Sequence, residues 1–376
     1  MADLGIKAYR FSLAWPRIVP DGKGKPNPKG LDFYLRLLDE LQTKGIEPVP
    51  TLYHWDLPQS LEDNGGWVNR DTAKYFQDYA AYVFDELKDR VAMWITHNEP
   101  WCAAFLGYGF GVHAPGKQDF QQAIAAAHHL LVSHGLAVKA FEDLGSPGRI
   151  GITLNLTPQY PASDSSEDRA AVKRGDGFTN RWFLDPVFKG TYPDDIYELW
   201  EAAGVAPPVQ EDDMAIISRP TDFLGVNYYT RAIVGHGKLP LLEMDTKPPV
   251  YPVTKMDWEI YPDGLYRLLM RLHEDYGPIP LYVTENGACF DDTMVQGRVP
   301  DQGRTQYLQS HFDAALRAIE QGVPLKGYYV WSLLDNFEWA FGYDRRFGII
   351  HVDFATQKRT WKDSARWYQS FLAGQS

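Results

Sequence analysis

Residues 92–99 read AMWITHNE, a short, largely apolar run that is long enough for one β-strand and ends in the polar side chains of Asn98 and Glu99. A short apolar run between turn signals is typical of a strand that is buried on both faces. The same design recurs at six other places, so the sequence predicts seven strands that end in polar or aromatic residues. The other six runs are Ala8–Trp15, Pro48–His54, Arg149–Leu156, Asp222–Tyr229, Pro280–Asn286 and Leu325–Asp335.

Amphipathic helical patterns separate these strands. Leu31–Lys44 has an apolar stripe at helical spacing, and Gly45 is placed to end that helix. Asp71 is the predicted N-cap of a second helix, and Thr305–Gln321 repeats the pattern before Gly322. Strand and helix in alternation predict parallel strand pairing with helices that cover the sheet.

Two architectures fit this alternation, a closed barrel and a doubly wound open sheet. A barrel builds its site from the carboxyl ends of all its strands, whereas a doubly wound sheet concentrates the site at one switch point, usually beside a Gly-rich phosphate turn. Nearly every predicted strand here ends in catalytic or stacking residue types, and no G-x-G-x-x-G or P-loop motif occurs. We predict an α/β fold of the TIM (β/α)8 type with seven of eight strands readable. Residues 1–376 are expected to form one domain, shortened at its N-terminus.

Composition and charge exclude several classes of protein. The formal net charge is −12, so neither nucleic acid nor an anionic membrane surface is an expected partner. Met1–Tyr9 has no signal-peptide pattern, and no stretch reaches the roughly 18 apolar residues of a membrane span. Cys102 and Cys289 lack metal-ligand spacing, which favours free thiols in a reducing compartment. We expect a cytoplasmic protein without metal or cofactor.

The aromatic content points to a ligand. Aromatic residues make up 14% of the chain, with 12 Trp and 22 Tyr. Core packing seldom needs so many of these residues, whereas a binding site uses them to stack on apolar faces of a ligand while they donate N–H or O–H.

Two strand ends place a carboxylate beside an amide, Asn98-Glu99 and Glu285-Asn286. A glycosidic bond is cleaved by two carboxyl groups, one that protonates the leaving oxygen and one that attacks the sugar or activates water. The two roles require different pKa values. A lone strand-end Glu is more often a helix cap or an ion-pair partner. Two of them, each beside an Asn, favour catalysis.

Six motifs, in order along the chain, resemble those of family 1 glycoside hydrolases, the β-glucosidases. They are Ala8–Arg17, Tyr53–Pro58, Thr96–Pro100, Leu224–Tyr229, Thr284–Gly287 and Trp331–Trp339. The resemblance extends to about Phe371. It implies a retaining β-glycosidase, in the first place a β-glucosidase, that acts on small unphosphorylated glucosides.

The resemblance also implies roles for individual residues. Glu99 would be the general acid/base, and Glu285 would be the nucleophile that forms a covalent glycosyl-enzyme. Arg10 and Tyr229 would keep Glu285 ionised, and Asn98 would hold the sugar 2-hydroxyl. The implied substrate contacts are His54, Trp55, Asn227, Trp331 under the glycone, Glu338 and Trp339 on its 4- and 6-hydroxyls, Phe347 in the wall and Trp258 on the aglycone side.

Several of these assignments have a structural alternative. Arg10 could be a barrel-interior charge, while Tyr229 and Phe347 could be packing aromatics. Glu338 would repel a 6-phosphate, and the presence of Glu99 favours O-glycosides over thioglycosides. Glucose, fucose or galactose remain open as the glycone, as does transglycosylation. His128-His129 and Cys102 are interpreted as structural.

The strand that is not readable is the first. In the family that this sequence resembles, the first strand precedes the motif at Ala8–Arg17 and carries a Gln that binds the 3- and 4-hydroxyls of the sugar. This Gln has no counterpart here, so we expect weaker binding of the glycone. The apolar edges of Ala8–Trp15 and Leu325–Asp335 need cover. Three outcomes stay open: a complementing fragment, self-association, or imperfect closure. A catalytically weak or inactive sugar-binding scaffold is therefore the alternative function.

Overall fold

The computed structural model describes residues 1–374, in which β-strands alternate with helices. The strands are β1 (Ala8–Ser12), β2 (Glu47–Tyr53), β3 (Met93–Asn98), β4 (Arg149–Asn155), β5 (Gln159–Pro161), β6 (Phe223–Asn227), β7 (Ala232–His236), β8 (Met244–Thr246), β9 (Leu281–Asn286), β10 (Leu325–Val330), β11 (Ile350–Val352) and β12 (Arg359–Trp361).

The α-helices lie mainly between the strands of the sheet. They are α1 (Trp15–Ile18), α2 (Pro28–Thr43), α3 (Gln59–Glu62), α4 (Asp71–Leu87), α5 (Phe120–Asp143), α6 (Ser166–Asp176), α7 (Trp182–Lys189), α8 (Asp194–Ala202), α9 (Asp213–Ile217), α10 (Pro262–Tyr276), α11 (Gln302–Glu320) and α12 (Asp363–Leu372). Cys102–Gly109 and Gly177–Arg181 form π-helical segments. No helix within residues 1–374 is both long and apolar enough to cross a bilayer.

Seven parallel strands form a nearly closed barrel in the order β1-β2-β3-β4-β6-β9-β10. The predicted α/β barrel with seven readable strands is confirmed. β1 and β10 are the edges, and within residues 1–374 neither has a strand partner on its outer side. A cavity of about 520 Å³ lies between them, bordered by Tyr9 and Tyr329, and it reaches the interior at Arg10, His54 and Trp331.

The predicted helices are present with shifted ends. α2 begins at Pro28 because the Asn27 side chain accepts a hydrogen bond from the Lys29 amide, and Gly45 has a φ of 65° just after it. Asp71 was predicted as an N-cap, which is wrong. It is the first residue of α4, and its amide already donates to the Asn69 side chain.

Six of the seven predicted strands are shorter in the structure, and β10 loses the most residues. β1 ends at Ser12 and β10 at Val330, since the chain then leaves the sheet to build loops at the site end of the barrel. β7 and β8 form a small side sheet with β5, separate from the seven-stranded sheet.

Much of the aromatic content is core. Five tryptophans are at most 1% exposed, and they lie in the largest hydrophobic cluster. Composition alone favours a ligand as the reason for the many aromatics, but the packing of helices on the barrel accounts for these five, which are Trp15, Trp67, Trp94, Trp182 and Trp200.

Candidate active site

The two carboxylates meet at the carboxyl ends of the strands, joined by one hydrogen-bond chain. Glu99 directly follows β3, and Glu285 lies in β9; they are 6% and 3% exposed. Asn227 Nδ2 of β6 donates to Glu99 Oε1 at 2.7 Å and to Asn98 Oδ1 at 3.0 Å. Arg10 of β1 donates to Asn98 Oδ1 at 2.6 Å and to Glu285 Oε1 at 2.5 Å. Residues far apart in sequence therefore share one site, as the barrel prediction requires.

Glu285 accepts hydrogen bonds from a cation and a phenol. Arg10 binds one carboxylate oxygen, and Tyr229 Oη donates to the other at 2.6 Å. Burial and the negative charges of Glu285 and Glu99 raise the pKa of Tyr229 well above its ordinary value, so the phenol keeps its proton and remains a donor. Charged hydrogen bonds of this kind stabilise a carboxylate.

Glu99 has the opposite environment. Burial, followed by the negative charge of Glu285, raises the pKa of Glu99 to about 8, although Asn227, Cys102 and Arg10 act against the rise. The residue also has a φ of 50°, in the left-handed region that non-glycine residues rarely occupy. A carboxyl group that keeps its proton near pH 7 beside a hydrogen-bonded carboxylate is the arrangement that acid/base glycosidases use.

Aromatic side chains surround the space above these groups. Trp55 donates from Nε1 to the Asn98 carbonyl at 2.9 Å, and its ring centroid lies 4.8 Å from that of Trp339. The rings of His54 and Trp331 stack at 5.8 Å. The structure brings these four predicted residues together into one aromatic wall with polar edges.

The loop after β10 carries a third acidic group. Glu338 is half-buried, and burial, with the charge of Glu285, raises its pKa to about 7. Buried Asp335 holds this loop in place, because its carboxylate accepts hydrogen bonds from Lys362 Nζ at 2.7 Å and from Arg346 at 2.6 Å.

A second aromatic group lies beside Glu285. The Tyr229 ring centroid is 5.1 Å from that of Trp258 and 6.1 Å from that of Phe347. Phe347 is only 2% exposed, so its contacts are mainly with protein.

His113 is a site residue that sequence reasoning missed. Its ring lies 5.0 Å from Trp55 and 6.3 Å from Trp339, in the loop after the π-helical segment that follows Glu99. Only its place between the acid/base motif and α5 could have drawn attention to it. His128 and His129, by contrast, bond to Asp213 and to the Trp67 carbonyl at 2.8 and 2.9 Å, which agrees with a structural role.

Across residues 1–374, His, Cys, Asp and Glu side chains form no group of three or more that could hold a metal ion.

Comparison with known proteins identifies similar chains. The family model described as Glycosyl hydrolase family 1 matches residues 1–376. Beta-glucosidase A of Acetivibrio thermocellus is 48% identical over 378 residues, which covers 99% of this chain and 84% of the relative. Beta-glucosidase A of Thermotoga maritima is 48% identical over 376 residues, which covers 98% of this chain and 83% of the relative.

Solved structures agree with these matches. The AHE enzyme of Alicyclobacillus herbarius superposes with a TM-score of 0.97 at 51% identity, over 100% of this chain and 85% of that one. A family 1 β-glucosidase of Thermotoga maritima gives a TM-score of 0.96 at 47% identity, over 100% of this chain and 84% of that one.

Proposed function

This chain belongs to glycosyl hydrolase family 1, and from that membership we propose that it is a retaining β-glucosidase that hydrolyses O-glycosidic bonds of unphosphorylated β-glucosides. The observation that carries the proposal is the pair of buried carboxyl groups with opposite environments, Glu99 with a raised pKa and Glu285 bonded to Arg10 and Tyr229. The relatives, whose names are those of hydrolases, give no support to a sugar-binding scaffold without turnover.

In the first step Glu285 attacks the anomeric carbon. The bond from that carbon to the aglycone oxygen breaks, and Glu99 gives its proton to this oxygen, so a covalent glycosyl-enzyme and a free alcohol form. Tyr229 and Arg10 orient the attacking carboxylate. Because the Tyr229 phenol keeps its proton, it can donate to Glu285 before and after attack.

In the second step Glu99, now a carboxylate, takes a proton from water. The water oxygen bonds to the anomeric carbon, and Glu285 leaves as a carboxylate. Two inversions retain the β-configuration. The Asn227 hydrogen bond to Glu99 supports its carboxylate form at this stage.

The glycone is proposed to lie on Trp331, with His54, Trp55, Glu338 and Trp339 on its hydroxyls. Asn98 Oδ1 is occupied by Arg10 and Asn227, so its amide nitrogen, which lies 3.2 Å from His54 Nε2 and has a second hydrogen to donate, is the group that can bind the 2-hydroxyl. Asn227 donates hydrogen bonds to Asn98 and Glu99 and so acts on the substrate chiefly by holding these two side chains in place. The Glu338 carboxyl disfavours a 6-phosphate at this end of the site. Phe347 would complete the wall, and Trp258 would line the aglycone side.

Small cello-oligosaccharides in the cytoplasm are the proposed substrates, which would make the enzyme part of cellulose degradation. A relative from Thermotoga neapolitana, 48% identical over 371 residues, is named 1,4-beta-D-glucan glucohydrolase. Free buried Cys102 and Cys289 support a reducing compartment. Activity on cellobiose tests the proposed substrate, and subcellular fractionation tests the proposed location.

We also propose that another polypeptide segment packs against the exposed edge strands of the barrel. β1 and β10 each lack a strand partner on one side within the described residues, and exposed edges tend to pair with other chains. Self-association or a complementing fragment would satisfy their free N–H and C=O groups.

The experiment that tests the proposed function is replacement of the nucleophile. Purified wild-type protein is expected to release the phenol from an aryl β-glucoside, and Glu285→Ala to lose roughly 10⁴-fold or more of that rate. The thermal midpoint of the variant serves as the control for folding. Full activity of Glu285→Ala would exclude the mechanism.

A further inference from the structure

Trp258 lies on a segment with little regular structure. Residues 247–261 connect β8 to α10, and apart from one isolated bridge between Val253 and Glu259 they contain no helix or strand. The indole is half-buried and meets the Tyr229 ring at 5.1 Å. A backbone hydrogen bond from the Thr254 amide to the Trp258 carbonyl, at 2.9 Å, holds the residue locally, and side-chain contacts of a neighbour add to the support of the segment.

Glu259, the next residue, makes those contacts. Its side chain is 3% exposed. One carboxylate oxygen accepts from the amides of Val250 and Tyr251 at 2.8 and 2.7 Å, and the other accepts from Arg231 Nε at 2.5 Å. Burial alone would raise the pKa of Glu259, but Arg231 and the two amides outweigh it and hold the pKa below its ordinary value. The Glu259 carboxylate therefore links two parts of the 247–261 segment and fixes the segment to Arg231.

Arg231 connects this anchor to the nucleophile. It stands two residues after Tyr229, which donates to Glu285, and its guanidinium lies 3.8 Å from the centroid of the Tyr261 ring. Thr230 Oγ1 between them donates to the Glu259 carbonyl at 2.9 Å. The segment that presents Tyr229 and the segment that presents Trp258 are thus joined by this ion pair, by the Thr230 hydrogen bond and by a hydrogen bond from the Tyr228 hydroxyl to the Tyr261 carbonyl at 2.5 Å.

We propose that the Glu259–Arg231 pair is a positioning device that holds Trp258 at the aglycone side and so sets which aglycones the enzyme accepts. The Glu259 carboxylate and the Nε and Nη2 atoms of Arg231 are bonded to protein atoms, so the pair acts on the aglycone through the segment that carries Trp258. The inference rests on the proposed function, since it uses the two steps of that reaction.

The two steps of the reaction allow an effect on the aglycone side to be measured separately from an effect on the glycone side. Formation of the glycosyl-enzyme requires an aglycone, whereas its hydrolysis does not. A 2-deoxy-2-fluoroglucosyl-enzyme, made with an activated fluoro-sugar, can be reactivated by water alone or by cellobiose as an acceptor on the aglycone side. In Glu259→Gln we expect reactivation by cellobiose, and kcat/KM for cellobiose hydrolysis, to fall about 10-fold, since misplacement of about 1 Å costs up to about 100-fold. Reactivation by water should stay within about 2-fold of wild type, because it needs no group at Trp258.

Three further variants make the result specific. Trp258→Ala should lower reactivation by cellobiose at least as much as Glu259→Gln does. Arg231→Lys keeps the charge without the forked donor, so an intermediate loss is expected, and it replaces Glu259→Gln if that variant does not fold. Asp195→Asn is the matched control, because it removes a two-point ion pair with Arg181, at 2.8 and 2.9 Å, elsewhere in the fold, and should change neither rate.

Two outcomes would overturn the inference. One is an equal loss of both reactivation rates in Glu259→Gln and Arg231→Lys, and the other is no loss in either variant. Failure of the wild-type protein to form any glycosyl-enzyme would instead overturn the proposed function.

Discussion

At the scale of single residues, the hydroxyl of Tyr229 offers a clean test of how Glu285 is oriented. Tyr229→Phe keeps the ring that packs on Trp258 and Phe347 and removes only the 2.6 Å hydrogen bond to the carboxylate. Loss of one preorganised donor typically costs about 100-fold or more in kcat. We expect a decrease of about that size in kcat on an aryl β-glucoside. Unchanged kcat would make Tyr229 a packing aromatic.

Glu99 should set the alkaline limb of the pH profile. Burial and the charge of Glu285 raise its pKa to about 8, and the residue must hold a proton in order to donate it. kcat/KM is therefore expected to be retained below that pKa and to fall as pH rises through it. An activated dinitrophenyl glucoside, whose leaving group needs little protonation, is the control and should show a weaker alkaline fall in the rate of glycosyl-enzyme formation. An alkaline limb near pH 4–5, where an ordinary Glu titrates, would contradict the assignment.

The placement of several site residues could be predicted from sequence because these residues stand at the end of a strand, whereas their roles were implied by the family resemblance. Glu99, Asn98 and Glu285 stand beside predicted strands, so barrel topology alone brings them together. His113 could not be predicted, since its contacts with Trp55 arise from the path of a loop. Local sequence patterns carry no information about such a path.

At the scale of elements, the loop after β10 depends on a buried ionic network. Lys362 Nζ is fully buried between Asp292 and Asp335, and Asp335 also accepts from the Gly348 amide at 3.1 Å. Lys362→Met would leave two buried carboxylates without this cation. Breaking a buried pair on one side typically costs about 3–5 kcal/mol.

We therefore expect Lys362→Met to lower the free energy of unfolding by about that amount in urea denaturation. Lys358→Met, at an exposed position, is the control and should change it little. A change below about 1 kcal/mol in Lys362→Met would mean that the network does not stabilise the loop.

The ends of elements were harder to predict than their existence. The apolar stripe of α2 identified the helix, but the Asn27 side chain places its start at Pro28. β10 ends at Val330 although apolar residues continue, and Leu333 and Leu334 pack from the following loop against a smaller hydrophobic cluster around Leu4, Tyr307 and Ile350. Hydrophobicity alone cannot distinguish a residue buried in a strand from a residue buried in the loop that follows it.

At the scale of the whole molecule, the alternation of strands and helices predicted the barrel, and the seven-strand order matches it. The aromatic content was less informative, since core packing and ligand stacking use the same residues. Trp15 and Trp94 belong to the core, whereas Trp55 and Trp339 form the site wall. Only tertiary contacts separate these two groups.

The open edges of β1 and β10 make a prediction about assembly. If self-association covers them, light scattering after size exclusion should give a mass above the 42.8 kDa of one chain. A complementing strand peptide would instead bind the monomer and raise its thermal midpoint. A monomer with full activity that binds no such peptide would contradict both arrangements.

The central claim is that Glu285 forms a covalent bond to the sugar while Glu99 serves as acid and base. Incubation with an activated 2-deoxy-2-fluoroglucoside, followed by proteolysis and mass spectrometry, tests it directly. We predict that the sugar is attached to the peptide that contains Glu285, and that Glu285→Ala forms no adduct. A label on Glu99 or any other residue, or turnover without an adduct, would contradict the account.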